Sequence, residues 1–247
     1  MTTGLLRKTS TAPVADCNQT ANNRLKSLPF TDEIMKRALY VFDLDGTILD
    51  TLTDLTNSVN FVLTKYGESP LSAREVADRT GNGVRVLVQK SLPADVDSET
   101  FEKAFADFSA HYMQHCADNT RAYDGIKDVL QKIREQGAKL AVVSNKTDGA
   151  VQLLAKKHFD GLFDFVTGQK DGVRPKPYPD AVELALDALG VCKSDALYIG
   201  DSEVDVATAK NVGMDCLCVD WGFRDRNRLE SSGAERIISH PQDILKF

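Results

Sequence analysis

A doubly wound parallel α/β sheet with a helical insertion is the fold class that the sequence predicts, on three observations. Short apolar runs recur along the chain with helix-like stretches between them. Several runs are continuous rather than alternating, as strands buried on both faces of a parallel sheet require. After the first run the rhythm breaks. From Thr51 to about Arg121 no strand is convincing, and only helical periodicity remains.

The strand candidates, in order, are "ALYVF" (38–42), "KLAVVS" (139–144), "LFDFV" (162–166), "ALYIG" (196–200), "CLCVD" (216–220) and "RIIS" (236–239). Between them, "DAVELALDALG" sets Val182, Ala185, Leu186 and Leu189 on one helical face. Asp180 with Glu183 reads as a capping box and Gly190 as a stop. In the interrupted interval, Leu52, Leu55, Val59, Val62, Leu63 and Tyr66 form one helical stripe, and Phe101, Phe105, Phe108 and Tyr112 a second. Spacing alone explains these aromatics as core. The expected division is a catalytic core of 38–50 and 121–247, with 51–120 as a helical cap. An insertion leaving the carboxyl end of a strand lies over the edge where such sheets bind ligands, the place for a lid.

Residues 1–37 differ in composition. They are rich in Thr, Asn and Ser and lack an apolar h-region, so no secretory signal is expected. Their scarcity of acids admits a transit peptide, but a loosely ordered extension is the plainer reading.

Composition narrows the function. Of 247 residues 42% are hydrophobic and 27% charged, as in ordinary globular chains. A net charge of −6 argues against a nucleic-acid partner. No apolar run approaches the ~18 residues of a membrane span. The 5 cysteines are odd in number and form no CxxC pair. They read as buried free thiols of a cytoplasmic protein, with Cys216 and Cys218 on one strand face. Nothing in the sequence sets the oligomeric state.

The chemistry lies at strand ends. In "FDLDGT", Asp43 ends the first strand, and an ionised carboxylate there is a nucleophile that needs no activating base. Asp45 reaches the same place. Two carboxylates this close require a cation, for which the hard ion Mg²⁺ is suited, or else one of them holds a proton and serves as a general acid. Gly46 lets backbone N–H groups approach an anion, and Thr47 adds a hydroxyl donor. The plain alternative for this motif alone is an N-cap or Asx-turn. Ser144 and Asn145 follow the second core strand at the expected start of a helix, where they can hold phosphate oxygens or merely cap. In "RPKPYPD", Lys176 stands between Pro175 and Pro177, which limit its backbone and so fix its ammonium. A fixed lysine neutralises a transferring phosphoryl group; an ordinary loop lysine is the alternative. In "GDSEVD", Asp201 follows a strand and Asp205 lies one helical turn on, a second acidic pair for a Mg²⁺ site.

In this order the motifs resemble the haloacid dehalogenase superfamily, and within it the phosphatases with a helical cap after the first motif. The resemblance spans about residues 38–247. It implies a Rossmann-like core, Asp43 as nucleophile, Asp45 as general acid/base, and Ser144 and Lys176 on the phosphate. It also implies Mg²⁺ on the Asp43 side chain, the Asp45 carbonyl and Asp201, with Asp205 close by through water. "FDLDGTILDT", "GNGVRVLV", "VSNK" and "GDSEVDVATAKNVGM" are most similar to the phosphoglycolate phosphatases. Thr51 and Asp124 stand where that group usually has Ser and Pro, and neither touches the expected chemistry.

The function this implies is Mg²⁺-dependent hydrolysis of a small phosphomonoester, 2-phosphoglycolate first, through an aspartyl-phosphate. A hexose-phosphate mutase or a pyrophosphatase shares the core motifs. A dehalogenase has no need of an acid at Asp45. A non-catalytic binding protein is expected to have lost Asp43, Asp45, Lys176 or Asp201, and all four are present. Substrate choice is expected in the cap loop "RTGNGVRVL". There Gly81 and Gly83 give flexibility, and Arg79, Asn82 and Arg85 supply donors for a small anionic group. The alternative is a helix start with exposed arginines.

Overall fold

The apolar runs become strands of one sheet. A computed structural model describes residues 37–247, and the readings made for the N-terminal extension lie outside them. The chain begins with β1 (Leu39–Phe42) and β2 (Leu49–Asp50). Four helices follow: α1 (Leu52–Lys65), α2 (Ala73–Arg79), α3 (Val84–Ser91) and α4 (Ser98–His115). Then come β3 (Arg121–Ala122), α5 (Ile126–Glu135), β4 (Lys139–Thr147), α6 (Asp148–Phe159) and β5 (Phe165–Gln169). The chain ends with α7 (Asp180–Leu189), β6 (Ala196–Gly200), α8 (Glu203–Val212), β7 (Asp215–Val219), α9 (Arg226–Ser231) and β8 (Ile237–Ile238).

The sheet is parallel in the order β5-β4-β1-β6-β7-β8. Its continuous apolar strands are buried on both faces. Along β1, Leu39 and Val41 pack with Val182 and Ala185 of α7, while Tyr40 and Phe42 join Val129 of α5 and Val151 of α6 on the other face. Because β1 lies between β4 and β6, the chain segments leaving these three strands converge on one edge.

Three local expectations differ from the structure. β4 continues to Thr147 rather than ending at Ser144. β5 begins at Phe165, because Leu162 and Phe163 are turned inward from the preceding bend to pack on the core. The capping box at Asp180 does not form. Pro179 is the N-cap, and the Asp180 carboxylate instead binds Arg174. Among the cysteines, Cys116, Cys216 and Cys218 are free. Half-buried Cys192 is disulfide-bonded, a departure from five free thiols. No described helix is long and apolar enough to cross a membrane.

The helical stretch leaves and rejoins the sheet domain at one spot. β2 pairs antiparallel with β3, Leu49 opposite Ala122. Asp54, 1% exposed in the first turn of α1, ties the two crossings together. Its carboxylate accepts from the backbone N–H of Asn119 and Thr120, the Asn119 amide and the Thr120 hydroxyl at 2.8–3.0 Å. Burial pushes its pKa up, but these four donors outweigh that and lower it. The two predicted stripes meet: Leu55, Val59, Val62 and Leu63 of α1 are buried with Phe108 and Tyr112 of α4.

Candidate active site

The strand ends and the loop between α2 and α3 enclose a cleft of about 530 Å³, counted with its open mouth. Its floor includes Asp43, Ser144, Lys176 and Asp201, and its roof Thr80, Gly81, Gly83 and Leu87.

Asp43 follows β1, where its N–H donates to Ile199 O at 2.9 Å and so pins it beside β6. Lys176 Nζ donates to Asp43 Oδ1 at 2.7 Å. Among the described residues the other Asp43 oxygen accepts no hydrogen bond. Burial raises the Asp43 pKa, the charges of Asp205 and Asp45 add to the rise, and Lys176 opposes it. Lys176 also donates to Asp205 Oδ1 at 2.8 Å and Tyr198 OH at 3.1 Å, so its three donors are engaged. Burial alone would lower its pKa, but the Asp205 and Asp43 carboxylates hold it well above the usual lysine value. The ammonium is thus a fixed positive charge. The Lys176–Pro177 peptide is cis.

Asp201 and Asp205 divide in use. Asp201 Oδ2 accepts from Phe223 N–H at 2.7 Å, and no cationic side chain touches it among the described residues. Burial, then Asp205 and Asp43, push its pKa well up. Asp205 is saturated. Besides Lys176, it accepts from Tyr198 OH at 2.9 Å, and from Ser202 N–H at 3.1 Å and Ser202 Oγ at 2.6 Å. Carboxylate oxygens of Asp43, Asp201 and Asp205 lie within 4.8 Å of one another. Three buried acids face one lysine, so the donor set is hard oxygen with surplus negative charge, the chemistry that a divalent cation fits. Asp43 and Asp201 are the members with coordinating capacity left.

Several predicted residues have other duties. Gly46 N–H donates to Leu49 O at 2.8 Å, inside the turn, and is not free for an anion. Its need is conformational. Its φ is +84°, and a Cβ there would collide with the Asp201 carboxylate. Thr47 lies against Asp201, Oγ1 to Oδ1 at 3.4 Å, rather than on the cleft. Because β4 runs on, Ser144 and Asn145 sit in a strand and not at a helix N-terminus. Ser144 still lines the cleft. The Asn145 side chain is fully engaged. It accepts from Lys176 N–H at 2.7 Å and donates to Lys176 O at 2.9 Å and Gly81 O at 3.0 Å. It anchors the lysine loop and the roof instead of a phosphate.

Asp45 lines the cleft but is not free. Lys146 Nζ donates to both its oxygens at 2.7 Å, and Thr51 Oγ1 donates to Oδ1 at 2.7 Å. Lys146 is 2% exposed, and its Nζ lies 4.8 Å from the Tyr112 ring centroid of α4. Sequence reading missed this lysine. The signal was a strand ended too early: in "VVSNKT" Lys146 is a charge within the strand, which implies a buried partner.

The cap-loop residues are corrected as well. Arg85 is half-exposed on α3, ion-paired with Glu102, and stacked on Phe101 and Phe105. Asn82 is exposed, and neither residue lines the cleft. Arg79 donates to the carbonyls of Glu75 and Lys90. The arginine at the roof is Arg224, from the loop after β7 and outside the predicted motifs.

Known proteins resemble this chain in sequence and in fold. The profile of the family described as haloacid dehalogenase-like hydrolase matches residues 40–219. A phosphoglycolate phosphatase of Pseudomonas putida is 31% identical over 84% of this chain and 78% of its own length. One of Neisseria meningitidis is 32% identical, with 79% and 85% covered. A crystal structure from Lactobacillus delbrueckii subsp. bulgaricus superposes with a TM-score of 0.80 at 36% identity, covering 85% of this chain and 97% of that one.

Proposed function

This chain belongs to the haloacid dehalogenase-like hydrolases, and from that premise we propose that it is a Mg²⁺-dependent phosphatase of 2-phosphoglycolate working through an aspartyl-phosphate. The observation that carries the proposal is Asp43. One oxygen is held by Lys176, and the other accepts from no described residue at the floor of a cleft. The relatives named phosphoglycolate phosphatase support the substrate.

In this mechanism the Asp43 oxygen attacks the phosphorus in line, and the bond to the leaving alkoxide breaks. Lys176 holds Asp43 in position and offsets charge on the phosphoryl oxygens, and the Ser144 hydroxyl supplies a donor. Asp45 delivers the leaving group's proton and afterwards takes one from the water that hydrolyses the aspartyl-phosphate. In this structure Lys146 and Thr51 occupy that carboxylate. Asp45 therefore rotates away from Lys146 and Thr51 before it acts. Asp43, Asp201 and the Asp45 carbonyl would hold Mg²⁺, and bound there it neutralises phosphoryl charge. The part of Asp205 is to hold Lys176. In the same reading 51–120 is the cap that excludes water.

The test is phosphate release across 2-phosphoglycolate, hexose phosphates, nucleotides and pyrophosphate with Mg²⁺. The expected result is highest kcat/KM on 2-phosphoglycolate, with one phosphate released per ester consumed. Asp43→Asn is expected to lose at least about 10³-fold in kcat. Turnover of Asp43→Asn within a few-fold of wild type sinks the nucleophile. Phosphate returned to an isomeric sugar marks a mutase.

A further inference from the structure

The pair Cys216 and Cys218 takes no part in the chemistry above. Both stand on β7, one residue apart, and so face the same side of the sheet. There Cys216 packs against the apolar cluster that includes Val212 and Met214. Cys218 is 1% exposed and Cys216 is half-buried, so the pair is reached through Cys216. Their sulfurs lie 3.9 Å apart. Cys116, the remaining free thiol among the described residues, belongs to the end of α4.

Spacing and protonation select what can join them. A disulfide needs sulfurs about 2.05 Å apart. To reach that, the pair must nearly halve its separation along a strand whose backbone is paired on both sides. Its partners are Tyr198 and Gly200 of β6 and Ile237 of β8. An atom inserted between the sulfurs demands far less movement. Bonded to each at about 2.3 Å with a tetrahedral angle, it holds them about 3.8 Å apart. A metal cation binds thiolates, so it must drive off both protons. Here the hydrogen bond with Cys218, and then burial, push the Cys216 thiol well up, so Cys216 keeps its proton. The ligand that suits this pair is a thiophilic centre whose own leaving group carries the protons away.

We propose that Cys216 and Cys218 form a two-thiol site for trivalent arsenicals, R–As=O. Each sulfur bonds to arsenic, the As–O bonds break, and the oxygen leaves as water with both thiol protons. Arsenic stays trivalent, so no oxidant or reductant is consumed. Cys216 makes the first As–S bond and Cys218 closes the ring. The second bond forms within the chain, which gives the pair an affinity that a single thiol lacks. The site is independent of the phosphatase chemistry, and its test needs no turnover.

The experiment titrates the full chain with phenylarsine oxide in the absence of reductant and reads the intact mass. The expected product carries one phenylarsenic group per chain, formed with loss of one water. Dithiothreitol is expected to remove it, and excess mercaptoethanol to leave it in place. Cys216→Ser and Cys218→Ser are each expected to raise the half-saturating concentration of reagent at least about 10²-fold, and Cys116→Ser to leave it unchanged. Absence of the adduct on wild type overturns the proposal. So does an adduct that either serine variant at 216 or 218 keeps, that Cys116→Ser loses, or that mercaptoethanol removes. If circular dichroism shows Cys218→Ser unfolded, Cys216→Ser, at the half-buried position, decides.

Discussion

The floor and the roof of the cleft are built from different materials. The floor is a set of charged side chains carried by segments that leave neighbouring strands, each locked by further hydrogen bonds. Lys176 alone joins Asp43, Asp205 and Tyr198. The roof is backbone: the carbonyls of Ala77, Thr80 and Gly81 accept from Arg224 and Asn145 of the core. Gly83 is needed there, since its φ is +87° and a Cβ would meet Asn145 O at 3.2 Å. Reaction chemistry requires fixed charge, and a rigid sheet edge supplies it. Selection requires only a shape and one donor, which a loop can change without touching the reacting groups.

Breaking the floor is expected to slow every substrate alike. Lys176→Met is predicted to lower kcat about 10²- to 10³-fold, equally for 2-phosphoglycolate and ethyl phosphate in a phosphate-release assay. A loss confined to one ester contradicts the division. Stripping divalent ions with EDTA is predicted to cost at least about 10²-fold on both esters, with activity restored by Mg²⁺.

The join between the two regions is expected to matter for stability. Asp54→Ala leaves the Asn119 and Thr120 amides without their acceptor. It is predicted to cost about 2–3 kcal/mol in urea unfolding. The folded pKa of Asp54 lies below its ordinary value. Its contribution is thus present above the unfolded pKa of about 4 and is lost as pH falls through the folded one. The stability gap between wild type and Asp54→Ala should narrow in acid, and a gap that widens there contradicts the assignment.

The smallest effect is expected at Arg85. Exposed and paired with Glu102, it should leave KM for 2-phosphoglycolate within about twofold on conversion to alanine. A tenfold rise would place substrate selection on α3.

Legibility follows the same division. Asp43, Lys176 and Asp201 could be read because each stands directly after an apolar strand or between prolines, where local sequence fixes position. The sheet could be read because strands buried on both faces need continuous apolar runs. Lys146 escaped because β4 runs three residues beyond its apolar stretch, and only the carboxylate of Asp45, 101 residues away, accounts for a lysine there. Arg224 escaped because its burial depends on carbonyls 144 and 147 residues away. Backbone acceptors have no residue signature. Arg85 misled for the converse reason: a basic residue beside glycines looks like a binding loop until its partner, Glu102, is known.

In the proposed mechanism Asp43 takes the phosphoryl group. It is tested most directly by acid-quenching the enzyme during turnover of 2-phosphoglycolate with Mg²⁺ and fragmenting its peptides by tandem mass spectrometry. One added phosphoryl group on Asp43 is expected, absent without Mg²⁺. A phosphoryl group on another residue, or none under conditions of full turnover, would contradict it.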